Sequence, residues 1–221
     1  MPLLLLKNIR KRKSMKRYER YAIVGQTQTG KTELVKRYML PRIQKKFVIY
    51  DPDFEFSKFG MIRNTVDEID FHCDDRIIFQ PSDEALEDVP TRISQFNALV
   101  KELNGLCGWV LIIDELSNVT KPEDRVRAKC PGQLFIYVRR RMKKPYRNGF
   151  IFTTNRLSDA DANIFGQCQH IFTFNSVKID VDYITERIGV NIWDKVLKLR
   201  KYEYVYYNQV TKRKVSPCKV N

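Results

Sequence analysis

The stretch "AIVGQTQTGKTELVKRYML", residues 22–40, decides the fold. Inside it, Gly25, Gln26, Thr27, Gln28, Thr29, Gly30, Lys31 and Thr32 follow the pattern G-x-x-x-x-G-K-[ST]. Glycine at both ends lets main-chain N–H groups turn inward around a phosphate. Lys31 then reaches the β- and γ-phosphate oxygens, and the Thr32 hydroxyl is available to Mg²⁺. All eight residues are candidate nucleotide contacts. Residues 21–24 read as a short buried strand. Residues 32–40 read as a helix with Leu34, Val35, Tyr38 and Met39 on one side, limited by Pro41. A strand, a glycine loop and a helix in that order bring phosphate to the start of a helix.

A phosphate loop needs an acidic partner for the metal. "WVLIIDE", residues 109–115, supplies it. Residues 109–113 are apolar without alternation, as in a central parallel strand covered on both faces. Asp114 then falls at the carboxyl end of that strand, where ligands bind in open α/β sheets, and is assigned to Mg²⁺. Glu115 is the candidate base for the attacking water. "NGFIFTTNR", residues 148–156, repeats the pattern, with Asn155 and Arg156 at the strand end. An amide there is placed to hold the water or sense the γ-phosphate. Residues 47–51 and 76–80 are further strands, and residues 83–103 are a long helical segment that Pro90 interrupts or begins. Strands alternating with helices predict a mostly parallel sheet flanked by helices.

Charge narrows the partner. The chain has 221 residues and a net charge of +14. Residues 50–124 hold 17 acids and six bases, whereas residues 125–147 hold nine bases and no acid. A surplus of base distributed in blocks points to a polyanion, although such blocks are also solvated faces. Residues 1–20 are set apart as a basic arm, residues 21–210 as the nucleotide-binding domain, and residues 211–221 as a basic tail. Residues 117–130 read as a loop whose Lys121, Arg125, Arg127 and Lys129 are candidate phosphate contacts on a polyanion, which the resemblance below makes sequence-independent contacts to DNA. Among weaker signals, Tyr202, Tyr204 and Tyr206 alternate and read as sheet packing, with base stacking as the alternative. His72 and His170 are single, and Cys168 reads as a small buried hydrophobe. Five cysteines with no C-x₂-C pair predict reduced thiols. The opening "MPLLLLKNIRKRK" has its charges after its apolar run, unlike a secretory signal. No stretch approaches the roughly 20 apolar residues of a membrane span. The expected location is cytoplasmic.

The order of these motifs resembles the HerA–FtsK superfamily of ring-forming, DNA-pumping ATPases, in particular the compact genome-packaging ATPases of double-stranded DNA viruses. The resemblance runs over residues 21–208. "GQTQTGKT" and "WVLIIDE" match the two nucleotide motifs, and "VIYDPDFEF" is similar to the second strand with its D-P-x-x-E pattern at Asp51, Pro52 and Glu55. "GFIFTTNRLSDADANIFGQCQHIFTF" resembles the strand ending T-Q-R-P, except that Asn155 replaces Gln and Leu157 replaces Pro. The resemblance implies a RecA-like core, ATP and Mg²⁺, double-stranded DNA as partner, and a homo-oligomeric ring with six subunits the expected number. It also implies arginines that reach a neighbouring subunit: Arg139, Arg140, Arg141 and Arg156 are the candidates. Capsid or membrane-vertex proteins are further expected partners, and the resemblance places the chain in the host cytoplasm or on a virion if it is viral. Packaging of viral DNA is the first expectation. Plasmid or cellular DNA transfer is the alternative, and a P-loop nucleotide or small-molecule kinase comes after it.

Overall fold

The computed structural model describes residues 19–220, apart from 45, 124–126, 130, 142, 144, 158–160 and 190–192. Most of the basic arm, residues 1–18, and Arg125 lie outside the described residues.

The chain enters as β1 (Arg20–Val24) and passes through the glycine loop into α1 (Lys31–Leu34). A wide helical turn (Val35–Met39) and a tight one (Leu40–Arg42) lead to β2 (Phe47–Tyr50). Next come β3 (Met61–Arg63), β4 (Arg76–Phe79), α2 (Asp83–Glu87), α3 (Val89–Gly105) and β5 (Val110–Ile113). A ribbon of β6 (Lys121–Glu123) and β7 (Arg127–Lys129) follows, then α4 (Gly132–Ile136) and a second wide turn (Tyr137–Arg141). The rest is β8 (Gly149–Thr154), α5 (Ala162–Gly166), β9 (His170–Thr173), α6 (Lys178–Ile188), α7 (Trp193–Val196), β10 (Glu203–Asn208) and β11 (Arg213–Lys219).

Nine strands form one sheet in the order β11-β10-β9-β1-β8-β5-β2-β4-β3. The strands from β9 through β3 run parallel, and β10 and β11 add an antiparallel edge. Both faces are covered, which is why the central strands read as unbroken apolar runs. Ala22, Val24, Leu111, Ile113, Phe150 and Phe152 face one core, with Phe96, Leu99, Val100 and Leu103 of α3. Tyr21, Ile23, Val110, Ile112 and Ile151 face the other, with Leu34, Val35 and Met39 after the glycine loop.

Three expectations change on the structure, and one is borne out. The helix expected over residues 32–40 keeps regular bonding only through Leu34. Over Val35–Met39 the bonding slips by one residue, so that Leu40 N–H bonds Val35 O, and Pro41 opens the tight turn. The segment 83–103 divides at Pro90 as expected, into two helices: Asp88 caps α3 through Thr91 N (2.9 Å) and Pro90 fits its first turn. Residues 117–130 are not a simple loop. They begin in a tight turn (Leu116–Val119) and then pair as a ribbon, Lys121 opposite Lys129 and Glu123 opposite Arg127. Main-chain pairing needs no apolar pattern, so a charged sequence concealed it. The basic tail is likewise not separate from the sheet, since its residues 213–219 form β11, which pairs with β10 from Asn208↔Arg213 to Glu203↔Lys219.

Candidate nucleotide site

The carboxyl ends of β1, β8 and β5 lie side by side, with Val24 opposite Thr154 and Ile113 opposite Phe152. That register brings the glycine loop, Asn155 and the Asp114–Glu115 pair to one edge. The loop is anchored on both flanks. Gly25 N donates to Thr154 O (3.2 Å) on the β8 side, and Gln26 N donates to Asn175 O (2.9 Å) on the β9 side. Two glycines are required by their surroundings. A Cβ on Gly25 would stand 2.5 Å from the Phe174 Cβ, and one on Gly30, where φ is +111°, would stand 2.5 Å from the Tyr202 ring.

Lys31 is buried and its ammonium is held rather than free. Nζ donates to Gln26 O (2.9 Å) and to Asn155 Oδ1 (2.7 Å). Burial lowers its pKa, and Glu115 and Asp114 oppose that shift. The shorter side chain at position 155 therefore still reaches the loop lysine. Its amide oxygen occupies an acceptor position on Nζ that a phosphate oxygen would take.

The two acids differ although they are neighbours. Asp114 accepts from Thr153 Oγ1 (2.8 Å), and burial pushes its carboxyl up to about 7, with Asp51, Asp53 and Glu115 adding repulsion. The Glu115 carboxylate is richly bonded. Asn155 N donates to both its oxygens (3.0 and 2.9 Å), and Ser117 Oγ (2.6 Å) and Thr154 Oγ1 (3.1 Å) approach Oε1. Glu115 also has φ +57°, and its own N–H donates to Thr153 Oγ1 (2.8 Å). Asp51 serves the backbone instead, accepting from Glu55 N (2.8 Å) and Phe56 N (2.9 Å).

A metal fits here as one ligand set among several. Among the described residues, no cluster of three or more His, Cys, Asp or Glu side chains could cage an ion alone. Thr32 and Asp114 offer hard oxygen donors, and the uncompensated charge of Asp114 is what a divalent cation relieves. That pattern suits Mg²⁺ shared between one carboxylate, phosphate and water.

The other candidates are distributed unevenly. Arg156 is exposed at the same edge, and Thr154 Oγ1 donates to its carbonyl (2.9 Å). Arg139, Arg140 and Arg141 occupy the wide turn that leads to the amino end of β8, where Asn148 N donates to Arg141 O (3.1 Å). The six residues of β8, about 20 Å of strand, separate that turn from the glycine loop of the same chain. Arg141 stacks its guanidinium on Tyr146 (4.1 Å), and Arg139 and Arg140 are exposed. Lys121, Arg127 and Lys129 lie on the ribbon that follows β5. Tyr204 and Tyr206 are buried in the sheet, but Tyr202 precedes β10 and stands against the glycine loop. His170 bonds Tyr206 OH (2.7 Å), His72 is exposed, and Cys168 is buried. Leu157, where the resembling motif carries Pro, uses the N–H that proline lacks to donate to Asp180 Oδ1 (2.9 Å). Sequence reasoning passed over Thr153, Thr154 and Ser117. The paired threonines that end the β8 strand were the available signal for the first two.

A glycine loop after β1, an acid pair after β5 and an extra strand between them define a P-loop NTPase fold. No protein-family model and no curated protein matches the sequence. Solved structures match its shape. The genome packaging NTPase B204 from Sulfolobus turreted icosahedral virus 2, in complex with ATP-gammaS, has a TM-score of 0.72 and 20% identity, over 94% of this chain and 100% of that one. VirB4 of Thermoanaerobacter pseudethanolicus has a TM-score of 0.66 and 10% identity, over 94% of this chain and 91% of that one. EssC (ATPases 2 and 3) from Geobacillus thermodenitrificans reaches 0.53 with 14% identity, over 91% of this chain and 40% of that one. The likeness is one of fold, a P-loop NTPase sheet shared with these structures. No helix among the described residues is long and apolar enough to cross a membrane.

Proposed function

We propose that this protein hydrolyses ATP and couples the reaction to the movement of duplex DNA, as a homo-oligomeric ring that packages a viral genome. The observation that carries the ATPase reading is the double engagement of Asn155. Its side chain holds Lys31 (2.7 Å) while its main-chain N–H holds Glu115 (2.9 Å). A phosphate that takes Lys31 away from Asn155 thereby acts on the segment that restrains the base. Once freed of a hydrogen bond, Glu115 accepts a proton from water as the water oxygen attacks the γ-phosphorus and ADP leaves. Thr32 and Asp114 would hold Mg²⁺, which neutralises charge on the phosphates.

The coupling to DNA rests on the net charge of +14, on Lys121, Arg127 and Lys129 of the ribbon that follows β5, and on the likeness in fold to a packaging NTPase. An exposed Arg156, or Arg140 or Arg141 from the opposite edge, serves a neighbouring subunit's site in the ring. Six subunits, and capsid or membrane-vertex proteins as docking partners, complete the proposal.

The test is phosphate release with and without random-sequence duplex DNA, at rising salt and rising protein concentration. The expected result is stimulation by DNA that fades steeply with salt, and activity that climbs faster than linearly with protein. DNA-independent release at a concentration where the protein is monomeric contradicts the motor.

A further inference from the structure

The two flanks of the glycine loop are chemically unlike, and this orients the nucleotide. On the β8 flank stand Lys31, Asn155 and Glu115, bonded to one another and assigned above to the terminal phosphate. The phosphate chain must therefore run away from β8, and the nucleoside leaves on the flank made by the segments after β9 and before β10. On that flank Tyr202 is pinned to the loop. Its N–H donates to Thr29 O (2.8 Å), its carbonyl accepts from Val220 N (2.8 Å), and its ring lies where a Cβ on Gly30 would be. Its φ of +68° is unusual for a tyrosine and is held by those two bonds. The ring is half-buried, with Lys201 Nζ 5.2 Å from its centroid.

Building on the ATP reading above, we infer that Tyr202 is the platform for the purine base of the nucleotide. An aromatic face whose backbone is fixed at both ends loses little freedom on stacking, and a purine offers it a matching π-surface. Stacking does not read the edge of the base, so ATP and GTP should use the platform alike. The left-handed backbone has the same explanation: an ordinary φ would not keep the ring over Gly30.

The experiment compares equilibrium binding of ATP, GTP and inorganic tripolyphosphate, a probe that has the phosphates but no base. Tyr202→Ala should weaken ATP and GTP roughly 10-fold or more and leave tripolyphosphate unchanged. Tyr202→Phe and Tyr202→Trp should retain the affinity for both nucleotides, and Tyr202→Leu, which keeps apolar bulk over Gly30, should behave like Tyr202→Ala. A parallel loss of tripolyphosphate in the Ala and Leu variants would mean that Tyr202 only shapes the loop, and overturns the inference. Unchanged nucleotide affinity places the base elsewhere and also overturns it. If the parent protein binds tripolyphosphate and neither nucleotide, the ATP reading falls first and the platform falls with it.

Discussion

At the amino edge of the sheet, Asn148 is fully buried and fully used. It accepts from Trp109 N (3.1 Å), donates to Leu106 O (3.1 Å), and its main chain donates to Arg141 O (3.1 Å). Nearby, His170 bonds Tyr206 and stacks on Tyr21 with ring centroids 4.4 Å apart. At the carboxyl edge, the same strands end in a buried lysine, a buried aspartate whose charge is resisted, and a glutamate in a left-handed conformation. Six described residues other than glycine have positive φ, and four of them, Gln28, Phe54, Glu115 and Tyr202, stand at this edge. At the amino edge the side chains of Asn148 and His170 are spent on protein partners, while Arg20 Nε and Arg141 Nε are buried without a hydrogen bond. The carboxyl edge gathers charge and backbone strain in one place, the pattern of a functional edge.

The largest way to break this comparison is Lys31→Ala. The phosphates lose their buried cation, and Asn155 loses the partner that restrains it. Nucleotide affinity should fall by about 100-fold, a loss of the size expected for a charge-assisted contact in a desolvated site, as measured by calorimetry. Retained affinity would mean that the loop does not hold phosphate.

Asp114→Asn should separate function from stability. Hydrolysis should fall about 100-fold or more, in the range for losing one electrostatic stabiliser of the transition state. Without nucleotide the variant should melt higher, not lower. The sign follows from the carboxyl being raised from 3.8 to about 7 by burial. Between those values the folded protein holds a proton that the unfolded chain has released, so stability falls as pH rises through this window. The gain from Asn should thus be largest at pH 8, amount to several degrees at ~2–4 °C per kcal/mol, and vanish near pH 4. Thermal scans across pH check it.

The amino edge should answer in the opposite way. Asn148→Ala leaves Trp109 N–H buried without its acceptor and should cost about 1–3 kcal/mol of stability, with nucleotide affinity unchanged. Denaturant melts and the same calorimetry decide.

Much of this was legible before the coordinates. The loop at residues 25–32, the apolar strands ending in Asp114 and Asn155, and the burial of Tyr204 and Tyr206 all follow from local spacing. What was not legible depended on partners distant in sequence. Tyr202 meets Gly30 across 172 positions, and only the strand order β10-β9-β1 makes them neighbours. The ribbon at residues 121–129 and strand β11 are held by main-chain pairing, which leaves no side-chain period to read. Conversely, the arginine run at residues 139–141 was conspicuous in sequence, yet it falls at the edge away from the loop, because helix and strand must reverse between β5 and β8.

The smallest expected effect sharpens the account of Glu115. Ser117→Ala removes one donor, 2.6 Å from Oε1, that competes for the lone pair a base must use. Steady-state turnover should rise, by no more than about tenfold for one hydrogen bond, with KM unchanged. A fall would make Ser117 a positioning residue for the carboxylate.

The most direct single measurement is single-turnover hydrolysis of γ-labelled ATP by the Glu115→Gln protein beside the parent. The amide keeps the size of the side chain but cannot take up a proton. The account predicts that ATP stays bound with near-parent affinity while phosphate release slows by about 10²–10⁴-fold. Release at the parent rate would contradict the assignment of Glu115 and, with it, the reading of this edge as a hydrolytic site.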